Sequence, residues 1–128
     1  MKIKMWTEAL RSEKYSQGIG MLYDSEENTF CCLGVACDIV NPRFKKRDPK
    51  MLDCANFVVP MNGEVKELKE QYPLIESYLA TMNDFEVSFE KIADEINRLW
   101  AGDDKNYKFY NSGDGIDHIE KMIEAVKA

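Results

Sequence analysis

The stretch from Arg11 to Asp38, "RSEKYSQGIGMLYDSEENTFCCLGVACD", concentrates the residues that could do chemistry. Three arrangements are open to it. The first is a thiol nucleophile. Cys31 or Cys32 would sit where a strand gives way to a helix, and a helix N-terminus stabilises a thiolate. Such a nucleophile needs a base, usually histidine. The single histidine, His118, lies far along the chain on the polar side of an expected helix. The second is zinc. Four cysteines and one histidine suffice in number, but no C-x₂-C pair occurs and Cys31 and Cys32 are adjacent, so no metal site is expected. The third is a pocket that only holds something. Arg11 and Lys14 supply cations, and Gln17 supplies a donor and an acceptor. Gly18 and Gly20 allow close backbone approach. Trp6, Tyr15 and Tyr23 offer faces on which a base can stack, and backbone donors from Cys32 to Gly34 would welcome a phosphate. This combination suits a small phosphate-bearing nucleotide, although Trp6, Tyr15 and Tyr23 also fit a core.

The elements that must position these residues follow from periodicity. Trp6, Ala9 and Leu10 share a face of a helix over Lys4 to Ser12. "IGMLYD" and "TFC" read as two strands around a turn at "SEEN". "CLGVACDIV" reads as a buried helix despite Gly34, with Leu33, Ala36, Cys37 and Val40 at helical spacing, stopped by Pro42. "RFKKRDPK" reads as a solvated basic loop, "NFVVP" as a strand and Asn62-Gly63 as a turn. "EVKELKEQY" and "PLIESYLATM" read as helices parted near Pro73. Ser88 can cap a helix through Trp100, with Phe89, Ile92, Ala93, Ile96, Leu99 and Trp100 on its apolar face. Asn83 and Asp84, before that cap, read as a loop turn. "YKFYNSGDG" suggests a strand and turn, and Ile116 to Val126 a last helix. The expected fold is α+β, one mostly helical domain over 1–128 with a small β-hairpin between the first two helices.

Size and composition set limits. A chain of 128 residues with 45% hydrophobic and 31% charged residues fits a single globular core. No apolar run approaches the ~18 residues of a membrane span, and the start lacks signal-peptide character. The reading is a soluble intracellular protein with reduced thiols. Net charge is −6, distributed as +2 over residues 1–50 and −8 over 51–128. That balance argues against duplex nucleic acid as a partner, since phosphate contacts need clustered Lys/Arg.

Three ordered blocks carry a resemblance. "WTEALRSEKYSQGIGML", "FCCLGVACD" and "LATMNDFEVSFEKIADEI" resemble a widespread family of small bacteriophage proteins with W-x-x-A-L-R-S, C-C-L-G-V and L-N-D-x-G-x-S-F blocks. The likeness covers about residues 5–40 and 79–97. Glu13 and Glu86 stand where glycine is usual, Ala36 replaces leucine, Met82 alters the third block, and 101–128 forms an extension to the family-like core. The resemblance implies a phage anti-CBASS sponge: a protein of the host bacterial cytoplasm that sequesters a cyclic dinucleotide such as cGAMP without cleaving it. It would be no enzyme, need no cofactor and touch no membrane. A two-fold ligand suits a homo-oligomer. Under that reading the ligand-binding residues are Trp6, Arg11, Lys14, Tyr15, Gln17, Gly18, Tyr23, Cys32 and Asn83, with Arg11 on phosphate, Tyr15 stacking and Gln17 reading a base edge or ribose. Two rival readings remain: a cysteine-dependent hydrolase using Cys31 or Cys32, and an acidic inhibitor of a host defence protein.

Overall fold

The computed structural model describes residues 1–47, 63–102 and 124. Within them the order is α1 (Ile3–Arg11), β1 (Tyr23–Asp24), β2 (Thr29–Phe30), α2 (Cys32–Val40), a 3₁₀ helix (Pro42–Lys46), α3 (Gly63–Gln71), α4 (Ile75–Asp84) and α5 (Phe89–Trp100). The chain is therefore mostly helical, with a two-stranded antiparallel hairpin between the first two helices. The "NFVVP" strand, the 107–115 strand and turn, the 116–126 helix, Cys54 and His118 lie outside the described residues.

Each helix follows its apolar stripe. In α1, Ile3, Trp6, Thr7 and Leu10 are buried. In α5, Phe89, Ile92, Ala93, Ile96 and Leu99 are buried, and Ser88 caps the start by accepting from the Lys91 N–H at 3.3 Å. Trp100 departs from the expected face and is 36% exposed, because the helix ends there and its last residue passes the edge of the core. The α1 and α5 stripes pack on each other, and α2 lies between α1 and α4.

Helix α2 is the central element, with Cys32 to Cys37 all buried. Gly34 explains how it reaches the hairpin. A Cβ there would stand 1.8 Å from the Leu22 carbonyl oxygen, so only glycine admits this approach. The strands are shorter than their hydrophobic runs suggest, two residues each, paired Tyr23 to Phe30 and Asp24 to Thr29. Residues 16–18 add a parallel bridge on the other side of Phe30, through Gly18 N–H to Phe30 O and Phe30 N–H to Ser16 O, both 2.8 Å. Asn83 and Asp84 are not a loop turn. They are the last two residues of α4, and Phe85 and Glu86 make the turn into Ser88.

Candidate functional site

Six of the nine expected binding residues hold the chain to itself. The Trp6 ring is 3% exposed and its Nε1–H donates to the Cys32 carbonyl at 3.0 Å. Beside it lies an apolar void of about 10 Å³, room for one water and not for a base. Cys32 is wholly buried: its N–H donates to Asn83 Oδ1 at 3.2 Å and its thiol to the Leu79 carbonyl at 3.4 Å. Asn83, also wholly buried, donates from Nδ2 to the Gly18 carbonyl at 2.6 Å and accepts from Gln17 Nε2 at 3.1 Å. Gln17 Nε2 donates to the Val87 carbonyl at 2.7 Å, and Gln17 Oε1 accepts from Phe89 N–H at 3.2 Å. Gly18 lies against the hairpin, where a Cβ would meet Thr29 Oγ1 at 2.2 Å. Arg11 pairs with Asp94 on α5. Expected as ligand contacts, Trp6, Gln17, Gly18, Cys32 and Asn83 instead satisfy buried backbone groups where three segments meet. Arg11, Tyr15 and Gln17 take their polar partners from three different elements, not from a shared cavity.

The remaining three expected residues come together elsewhere. Tyr15 and Tyr23, both half-buried, flank the buried Phe30 in one aromatic cluster: Tyr15 meets Phe30 edge-on at 4.9 Å between centroids, and Tyr23 lies tilted on Phe30 at 4.8 Å. Phe44 from the 3₁₀ helix backs both Tyr23 and Phe30. Two ammonium groups stand over these rings. Lys14 Nζ is 5.7 Å from the Tyr15 centroid, and Lys45 Nζ is 5.9 Å from those of both Tyr23 and Phe30. Asp38 organises the face. One carboxylate oxygen accepts the Tyr15 hydroxyl at 2.7 Å; the other faces Lys45 Nζ at 3.2 Å as an ion pair without hydrogen-bond alignment. Burial and the adjacent carboxylate push the Tyr15 phenol up to about 12, so it stays protonated and donating.

Asp38, Phe44 and Lys45 had no place in the sequence-based site. The run "RFKKRDPK" read as solvated, yet Phe44 is 5% exposed and anchors the 3₁₀ helix in the core. The signal was there: Asn41 before Pro42 initiates a compact turn, and its side chain accepts from Arg43 N–H at 3.2 Å. Arg43, Lys46 and Arg47 of the same segment are exposed.

The thiol alternative meets a closed interior. Cys31 is wholly buried and its sulfur accepts from Gly34 N–H at 3.4 Å, serving as the N-cap of α2. Among the described residues no group of three or more His, Cys, Asp or Glu could hold a metal ion. No helix among them is long and apolar enough to cross a membrane.

The described residues define a mostly helical domain in which two lysine ammonium groups stand over a tyrosine–phenylalanine cluster. The chain belongs to the family described as Domain of unknown function (DUF8296), which matches residues 1–67. That segment contains the whole aromatic and cationic face; the Asn83 that closes the polar network lies beyond it. No curated protein and no solved structure matches the chain.

Proposed function

We propose that this protein captures a cyclic dinucleotide such as cGAMP without cleaving it, acting as a phage-encoded sponge against bacterial immune signalling in the host cytoplasm. The observation that carries the reading is the pair of lysine ammonium groups standing over the tyrosine rings that flank Phe30, Lys14 on Tyr15 and Lys45 on Tyr23. A nucleotide presents both a phosphate and an aromatic base. The phosphate pairs with the lysines, and the bases stack on the half-buried tyrosines, each stack contributing about 1–3 kcal/mol. Asp38 positions Lys45 and the Tyr15 hydroxyl rather than contacting the guest. A competitive sponge binds near nanomolar, about −12 kcal/mol, more than one such open face provides. Two copies related by a two-fold axis would each present one face to a two-fold ligand, which is why the proposal includes a homo-oligomer.

The test is depletion of cyclic dinucleotide from solution by purified protein, followed by heat denaturation and mass spectrometry of what is released. Intact ligand is expected. Lys45→Ala and Tyr23→Ala, each folded by circular dichroism, should weaken capture by about tenfold or more, the loss of one charge-assisted contact or one stack. Arg11→Ala should bind normally, because its guanidinium serves Asp94. Cleaved ligand, or full affinity in Lys45→Ala, would overturn the proposal.

A further inference from the structure

Gln17, Ile19, Asn83 and Glu86 line an open cleft of about 210 Å³. Clefts that enclose a whole small ligand run to roughly 300–1,000 Å³. This one is the size of a single side chain or small group.

Its hydrogen-bonding character is one-sided. Gln17 Nε2 donates to both Asn83 Oδ1 and the Val87 carbonyl, and Gly20 N–H is engaged by Asp84 Oδ1 at 3.1 Å. The floor is fixed and has little to donate to an anion. Acceptor capacity is what stays open. The Glu86 carboxylate has no hydrogen-bond or ion-pair partner among the described residues. The apolar part of the lining is Ile19, which is 52% exposed. Glu86 also holds φ +62°, a left-handed conformation in which glycine would be at ease.

We infer that this cleft receives an arginine side chain from a partner polypeptide. A guanidinium offers planar donors to the Glu86 carboxylate, and its aliphatic stem suits the exposed Ile19. Residues 84–90 expose Asp84, Glu86 and Glu90 and carry no Lys or Arg, which favours a basic partner by charge complementarity. The open rim and small volume suit a side chain presented on a backbone rather than an enclosed free metabolite. The site is independent of the aromatic face, which contributes none of its lining.

The capped tripeptide acetyl-Gly-Arg-Gly-amide, titrated into ¹⁵N-labelled protein at low salt, tests it. Saturable shifts are expected at the Gln17 and Asn83 side-chain amides and at the Gly20 N–H. Glu86→Gln should weaken binding by about tenfold, the worth of one charge-assisted hydrogen bond, while leaving cyclic-dinucleotide capture unchanged. Ile19→Ala, which removes only an exposed side chain, should also weaken it. Equal binding of the citrulline tripeptide, absence of saturable shifts at millimolar peptide, or full affinity in Glu86→Gln would overturn the inference. Agmatine binding as tightly as the tripeptide would overturn the polypeptide source. Because Glu86→Gln spares the aromatic face, failure here and failure of nucleotide capture are separate results.

Discussion

Replacing Asn83 with alanine should be among the most damaging single changes to this protein. Its side chain is wholly buried and makes three hydrogen bonds: from Cys32 N–H at 3.2 Å, from Gln17 Nε2 at 3.1 Å, and to the Gly18 carbonyl at 2.6 Å. Alanine strands the Cys32 N–H in a part of α2 that water does not reach, and removes the partner of a second backbone group, the Gly18 carbonyl. A buried polar group left unpaired costs about 1–3 kcal/mol. Gln17 keeps Val87 and Phe89 as partners, so its loss is partial. The sum is about 3–5 kcal/mol, against a total stability of about 5–15 kcal/mol for a domain of this kind. Urea denaturation followed by circular dichroism measures it. With a slope of about 2 kcal/mol/M, the midpoint should fall by about 1.5–2.5 M. Gln17→Ala combined with Asn83→Ala should show a coupling of about 1 kcal/mol in a double-mutant cycle. A loss under about 1 kcal/mol for Asn83→Ala would refute the claim that this amide holds the three segments together.

Three further outcomes are expected. Glu13 and Glu86 hold the left-handed φ values +61° and +62°, which glycine adopts without strain. Glu13→Gly and Glu86→Gly should each stabilise by about 0.5–1 kcal/mol, the relief of left-handed strain less the added unfolded-state entropy, read as a raised urea midpoint. Gly34→Ala should prevent native folding or cost more than about 3 kcal/mol, because its Cβ would overlap the Leu22 carbonyl and part α2 from the hairpin; a native-like melting curve would contradict this. In an absorbance titration at 295 nm, Asp38→Asn should bring the Tyr15 ionisation down from about 12, read as the difference between variant and parent curves. Since the folded value lies above the ordinary value of about 10, the stabilisation is complete below pH 10 and is lost as pH rises towards 12.

The amino-acid sequence by itself determined α1 to α5 and the hairpin, but not the 3₁₀ helix at Pro42–Lys46. The stripe from Phe89 to Leu99, the Ser88 cap and the buried run from Cys32 to Cys37 are local signals, because a period of 3.6 residues and a capping hydroxyl need no distant partner to be legible. It also brought Lys14, Tyr15 and Tyr23 into consideration by residue type. Tertiary structure decided what each polar residue is for. Gln17 and Asn83 are 66 positions apart, and nothing in either neighbourhood shows that one amide will satisfy the other. Trp6 and Cys32 are bonded across 26 positions in the same way. Asp38 became the organiser of a cationic and aromatic face only when the 3₁₀ helix carried Lys45 back over the hairpin. Local sequence dictates backbone geometry, but the partners of a buried donor are set by which segments pack together, and that choice belongs to the folded chain as a whole.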